Sequence, residues 1–348
     1  VPFPRPRTDR QKALIIAIAA AAWVAAMVAY RHFTAPPPPT VYPYTTELLD
    51  STGARVSNSA GPLQLRLDPF TLYRHQPNQR TPFFTINERG YRGGCEARPG
   101  QPNVVVLGGS TAFGFDLEAG LEREALPAQL GRLMPDYQLH NAGVVAWLSG
   151  QELAEMVHYA DELAPRAYVV FDGWNDAFLQ AYGRPEVAAL GYHWGTFFVI
   201  EGQLRKAVGL AAVKPTPGRG PHRNGEVTAE YLKNHERMAA FARARGAVIV
   251  FAFQPHGSRE QPQSAEGWRD MFLRRYPQFE SEYAAQVEAA LGQCQKLSLE
   301  CIDMRTTTAF ASSSEGMFLD LVHLTPRGHA AAAMVIADRL TALLARRP

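Results

Sequence analysis

The chain of 348 residues has only three cysteines, Cys95, Cys294 and Cys301, and none falls in a cluster with metal-ligand spacing. No metal and no other cofactor is expected from such a sequence. The net charge is +2, and no basic stripe interleaved with aromatics is present, which sets DNA and RNA binding aside. Hydrophobic residues make up 46% and charged residues 20%, the balance of an ordinary globular protein. One large domain or two modest ones fit this length.

One stretch lacks charge altogether. Ala13 to Tyr30 is nearly all Ala, Ile, Val, Leu, Met and Trp. As a helix it would span roughly 27 Å at about 1.5 Å per residue, close to the hydrocarbon thickness of a bilayer. Arg5, Arg7, Arg10 and Lys12 precede it, against Arg31 just after it. That imbalance predicts a cytoplasmic tail over 1–12, a transmembrane helix over 13–30, and everything later outside the cytoplasm. A cleaved signal peptide is the competing reading. The apolar region is long for one, and Tyr30-Arg31-His32-Phe33 is a poor cleavage context, although the Ala-rich tract offers small-residue sites. Pro36 to Pro39 then makes residues 31–45 a stiff polyproline spacer.

Residues 46–102 contain many turn formers and no long periodic segment. Short strands are expected near Leu63 to Leu67, from Tyr73 onward, and over Pro82 to Asn87, in a small irregular lead-in packed on the main domain. From residue 103 strand and helix alternate. Strands are predicted over Asn103–Leu107, Tyr137–Asn141, Ala167–Phe171, Ala247–Phe253 and Glu300–Met304. Helices are predicted over Glu124–Met134, with Leu126, Leu130 and Leu133 on its apolar face, and over Thr228–Arg245, ended by Gly246. Another covers Glu280–Leu297. A capping box in Ser149-Gly-Gln-Glu152 starts a helix whose apolar positions are Leu153, Met156, Val157, Ala160 and Leu163. The last helix starts with Thr325 as N-cap and Pro326 at its first position. Strands joined by crossover helices imply an α/β domain over 103–348, with a mostly parallel sheet covered on both faces.

An insertion over 177–227 interrupts this rhythm. It carries Tyr192, Trp194 and other aromatics. With Trp174 just before it, these are candidate substrate-binding residues, placed to stack on sugar rings or to face a lipid or protein partner. A small core of the insertion's own is the bland alternative. Cys294 near a helix end and Cys301 on the next strand permit a disulfide in an oxidising compartment, leaving Cys95 free. Small buried thiols explain the cysteines equally well.

Four short stretches fall at the carboxyl ends of the predicted strands, where open α/β sheets hold ligands. They are Gly109-Ser110-Thr111, Asn141-Ala-Gly143, Asp172-Gly173-Trp174-Asn175-Asp176 and Asp320-Leu-Val-His323. A serine hydroxyl needs a base to become a nucleophile, and His is the usual one near neutral pH. The base needs a carboxylate to hold its tautomer, and Asp320 lies three residues before His323. The Ser110 and Gly143 backbone N–H groups and the Asn175 amide would serve a tetrahedral oxyanion.

In that order Ser110, Gly143, Asn175 and His323 resemble the four blocks of the SGNH (GDSL-type) hydrolase superfamily over roughly residues 103–345. Ile86-Asn87-Glu-Arg-Gly90-Tyr-Arg-Gly93 is similar to a lead-in found before the nucleophile strand in many bacterial members. The resemblance implies a three-layer, flavodoxin-like α/β/α fold and ester chemistry through an acyl-serine. Ser110 would be the nucleophile, His323 the base, Asp320 its orienter, and Ser110, Gly143 and Asn175 the oxyanion hole. The family's usual Gly-Asp-Ser is here Gly108-Gly109-Ser110, so the aspartate is absent and the loop is expected to be held differently.

The expected protein is therefore a single-pass protein of a bacterial inner membrane with its main domain in the periplasm. It would be an esterase or O-acyltransferase acting on short acyl esters, acetyl foremost, of a carbohydrate; a lipid ester is a further possibility for the substrate. A transferase with one span would need an integral-membrane partner to deliver the acyl group. The alternative is a non-catalytic accessory subunit of a membrane complex.

Overall fold

The computed structural model describes residues 63, 65–75, 77–81, 84–115, 117, 121–182, 226–257, 273, 276–311 and 316–346. The expected membrane segment 13–30, the linker 31–45, and Tyr192 and Trp194 of the insertion lie outside them. Among the described residues no helix is long and apolar enough to cross a membrane.

The lead-in forms two short antiparallel pairs. β1 (Leu65–Asp68) pairs with β2 (Leu72–His75), and β3 (Gln79–Arg80) with β4 (Thr85–Ile86). It is tied to the main domain by buried polar contacts as well as by packing. Arg74 forms a 2.9 Å ion pair with Glu155, to which the Tyr91 hydroxyl also donates. Arg92 bridges Ile86 on one side and Asn141 on the other, so the lead-in reaches the edge of the central sheet.

That sheet has five strands: β5 (Asn103–Gly108), β6 (Gln138–Asn141), β7 (Ala167–Asp172), β8 (Val248–Phe253) and β9 (Glu300–Asp303). Their order is β6-β5-β7-β8-β9, and each neighbouring pair is parallel. The β-branched run in β5 suits a strand buried on both faces. Its side chains alternate between two cores, as a period of two requires. Val105 and Leu107 join one apolar cluster, and Val104 and Val106 the other.

The helices are α1 (Ser110–Phe113), α2 (Leu126–Leu133), α3 (Ser149–His158), α4 (Trp174–Tyr182), α5 (Glu226–Ala244), α6 (Phe279–Leu297), α7 (Thr308–Ala311) and α8 (Pro326–Leu344). Met156 of α3, Met238 of α5 and Val287 of α6 cover the first face. Leu126 and Leu130 of α2 and Ile336 and Leu340 of α8 cover the second. The result is the expected three-layer α/β/α architecture.

Local signals explain most boundaries. Thr325 caps α8, its hydroxyl oxygen accepting from the Gly328 N–H at 3.1 Å. Gly246 follows α5 at φ +70°, a left-handed C-terminal turn. Three expectations shift. Leu133, the last residue of α2, is 48% exposed rather than on the buried face. Val157 is likewise exposed, and α3 gives way to a 3-10 turn over Ala160–Leu163. The α3 N-cap is Leu148 rather than Ser149. The Gln151 side chain accepts from the Leu148 N–H at 3.2 Å, while the Ser149 hydroxyl donates to Asp176 at 2.7 Å. A tertiary acceptor has taken the serine that the local pattern assigned to the cap. Cys294 and Cys301 form a disulfide that ties the end of α6 to β9, and Cys95 is a free thiol.

Candidate active site

The site lies at the carboxyl end of the sheet, where β5 and β7 end side by side. β5 ends on Gly108 at φ +152°, and a Cβ there would stand 2.4 Å from the Phe171 carbonyl oxygen. A glycine is needed for β5 to pack so closely on β7 and then turn. Gly109 follows, and Ser110 opens α1. The Ser110 N–H therefore sits in a first helical turn, where no preceding helical carbonyl can accept it.

His323 arrives from a compact loop between α7 and α8. Phe318 and Leu324 bridge across it, and the Leu319 N–H donates to the His323 carbonyl at 2.8 Å. His323 Nε2 lies 2.9 Å from Ser110 Oγ, and its Nδ1 lies 2.7 Å from Asp320 Oδ2. The other Asp320 oxygen accepts from the Val322 and His323 N–H groups, each at 2.7 Å. Burial alone would push the Asp320 carboxyl up. The facing His323 and these two backbone bonds outweigh it and hold the carboxyl below its ordinary value. The Phe115 ring, 5.2 Å from the His323 ring, forms one wall. The geometry can carry proton transfer from serine to imidazole, with the carboxylate fixing the imidazole tautomer.

The three residues expected to bind an oxyanion differ in their surroundings. Asn175, at the start of α4, donates from Nδ2 to the Trp147 carbonyl at 2.7 Å, which fixes its amide beside Gly109. The Gly143 N–H donates to the Asn141 side-chain oxygen at 3.1 Å, so its service to an oxyanion requires that bond to be shared. Glycine is required at 143 for a reason other than ligand approach. A Cβ there would meet the Phe113 backbone nitrogen at 2.5 Å, because α1 packs directly on this loop. Gly109 has a similar account. A Cβ at 109 would stand 2.5 Å from Asn175 Nδ2, so the loop that lacks the aspartate is one that leaves room for the Asn175 amide.

Of the candidate substrate-binding residues, only Trp174 is described. It is 6% exposed and packs on Phe279, with ring centroids 4.3 Å apart, and beside Tyr283. Its indole belongs to the core between α4 and α6, which leaves it little surface to offer a substrate.

Residues that the sequence reading passed over hold this arrangement from behind. Asp176 accepts from both the hydroxyl and the N–H of Ser149, at 2.7 and 3.1 Å. It thus locks the start of α4 to the loop that carries Gly143. Burial and the neighbouring Asp172 push its carboxyl up to about 7, against the pull of the Ser149 bonds. Asp172, at the end of β7, accepts from Tyr231 at 2.9 Å and lies 3.0 Å from His235 Nε2. Glu152 lies fully buried beside them, and burial with the charges of Asp172 and Asp176 holds its carboxyl far above the ordinary range. Gln254, after β8, donates to Thr111 Oγ1 at 3.1 Å. The one signal in the sequence was adjacency, since Asp172 and Asp176 stand in the same stretch as Asn175.

The profile of the GDSL-like Lipase/Acylhydrolase family matches residues 106–331, and the chain belongs to that family. Similar solved structures include a putative lipolytic protein of the G-D-S-L family from Desulfitobacterium hafniense DCB-2. It is 12% identical, over 69% of this chain and 99% of that one, with a TM-score of 0.41. A lipase/acylhydrolase from Enterococcus faecalis is 15% identical over 70% and 97%, with a TM-score of 0.43. The psychrotrophic esterase EstA from Pseudoalteromonas sp. is 13% identical over 70% and 99%, with a TM-score of 0.39. No curated protein matches the chain in sequence. Family membership supports ester-hydrolase chemistry in general.

Proposed function

We propose that the protein is an esterase or O-acyltransferase that removes or transfers a short acyl group, acetyl foremost, on a carbohydrate. The observation that carries the chemistry is the continuous hydrogen-bonded relay from Ser110 through His323 to Asp320. In this reading Ser110 Oγ attacks the ester carbonyl carbon as its proton passes to His323 Nε2. Asp320 keeps the other ring proton on Nδ1 and stabilises the imidazolium. The carbonyl oxygen becomes an oxyanion held by the Ser110 N–H and the Asn175 amide, with Gly143 as a third donor. Collapse breaks the bond to the alcohol, which leaves with the proton from His323 and yields an acyl-serine. Water or a sugar hydroxyl then repeats the sequence, giving hydrolysis or transfer.

The substrate class rests on placement. The uncharged helix predicted over 13–30 and the spacer behind it would hold the domain on the outer face of a bacterial inner membrane, where acylated polysaccharides are assembled. A fluorophosphonate probe should label Ser110, and Ser110→Ala should abolish labelling. Folded wild-type protein that takes no label would sink the reading and favour an accessory subunit. Incubation with an acyl ester and a glycan, read by mass spectrometry, separates free acid from acylated sugar.

A further inference from the structure

We propose that Arg92 is a positioning residue for the serine: from the sheet edge its guanidinium fixes the carbonyls that end α1, and through them holds Ser110 against His323. The inference rests on the reading of Ser110 as nucleophile.

α1 has four residues, far too few to hold a helical turn by its own hydrogen bonds, since nucleation is costly. The carbonyls at its end point beyond the last helical turn and take donors from elsewhere in the fold. Arg92 is 2% exposed and supplies what they need. Its Nη1 donates to the Phe113 carbonyl at 2.8 Å and to the Gly114 carbonyl at 2.5 Å. Its Cζ stands 4.5 Å from the centre of the Phe113 ring. Asn141 Nδ2 adds a third bond, to the Phe113 carbonyl at 3.2 Å.

The connection to the serine is short. The Gly114 and Phe115 N–H groups donate back to the Ser110 carbonyl at 3.0 and 2.9 Å. The 113–114 and 114–115 peptide units are therefore each held by Arg92 on the carbonyl side and each donate to the Ser110 carbonyl from the N–H side. Phe115, next in the chain, carries the ring that faces His323. One guanidinium thus governs both partners of the proton transfer. Arg92 is itself anchored, since its own N–H donates to the Asn141 carbonyl at 3.0 Å. Placing a charged group inside the fold is costly, and packing alone would be served as well by an apolar side chain. Both bonds come from the single Nη1 group, whose two hydrogens are fixed in the guanidinium plane; a lysine ammonium ends a shorter, flexible stem and has no such plane.

The test uses the full chain, with fluorophosphonate labelling rate, ester turnover and thermal unfolding measured together. Arg92→Lys keeps the charge and loses the planar Nη1 group that donates to both carbonyls. It should fold, and its labelling rate and kcat should fall ~10- to 100-fold with KM within about threefold, the scale expected for a misplaced nucleophile. Arg92→Gln keeps an amide donor of shorter reach and removes the charge; its labelling rate should fall about 10-fold. If Arg92→Lys does not fold, Arg92→Gln carries the test. Folded variants that label at the wild-type rate, or a loss confined to KM, would overturn the proposal. Failure of both variants to fold would assign Arg92 to stability instead. An unlabelled wild type sinks the nucleophile reading itself, and the positioning role with it.

Discussion

Replacing Asp320 by asparagine tests the relay without dismantling its loop. The Asp320 oxygen that accepts from the Val322 and His323 N–H groups, both at 2.7 Å, has an equivalent in the asparagine carbonyl oxygen. The loop therefore keeps its shape. The other oxygen, 2.7 Å from His323 Nδ1, becomes an NH2 group. An amide N–H donates, so Nδ1 must present its lone pair and the ring proton moves to Nε2. That proton then points at Ser110 Oγ across 2.9 Å, and no lone pair remains to take the serine's own. In a Ser-His-Asp arrangement the loss is about 10⁴-fold in kcat, or ~5.5 kcal/mol at about 1.4 kcal/mol per tenfold. The assay is initial-rate hydrolysis of an activated acetyl ester, paired with the fluorophosphonate labelling rate and a melting curve. The melting temperature should move by a few degrees at most. A folded Asp320→Asn protein that keeps activity within tenfold of wild type would refute the tautomer argument.

Other outcomes follow from the same geometry. Gly109→Ala sets a Cβ 2.5 Å from Asn175 Nδ2, so the amide must move off the Trp147 carbonyl. Labelling should fall about 10²-fold, the scale for losing one oxyanion donor, with the fold intact; an unchanged rate would remove Asn175 from the oxyanion hole. Glu155, beneath the Arg74 pair, has its carboxyl pushed up to about 7 by burial, against the pull of Arg74 and Tyr91. A raised carboxyl favours the folded state below its unfolded value near 4.5, and that contribution is lost as pH rises through about 7. Chemical denaturation should therefore give lower stability at pH 8 than at pH 5.5, and Glu155→Gln should flatten this slope; an equally steep slope in the variant would refute the assignment. The Cys294–Cys301 disulfide spans seven positions. Loop closure of that size contributes about 2–3 kcal/mol, so the double Cys→Ser variant should lose about that much unfolding free energy and denature at a lower midpoint. An equal midpoint would show that the ring adds nothing.

Much of the site was legible because its chemistry is concentrated in short stretches. Ser110 follows two glycines after a β-branched run, and Asp320 and His323 share one loop, so residue type and spacing nearly suffice. The helix caps at Thr325 and Gly246 were legible for the same reason, since a cap is a contact within a few residues. Ser149 was misread because its hydroxyl, which as a cap would accept from a backbone N–H of its own helix, donates instead to Asp176, 27 residues away. Trp174 was misread because an aromatic beside a catalytic stretch looks like a substrate platform until α6 packs on its face.

The sequence by itself determined the order of strands and helices and the two buried faces of the sheet, which follow from side-chain periodicity and local hydrogen bonding, and it offered Ser110, Asp320 and His323 as candidates by residue type and placement. Only the tertiary structure decided that Gly109 leaves space for the Asn175 amide, that Gly143 is a packing glycine bound to Asn141, and that Arg92 holds the end of the serine helix. Each of these depends on how closely two backbones approach across the fold. That distance is set by the whole packed domain and is written in no single stretch of the chain.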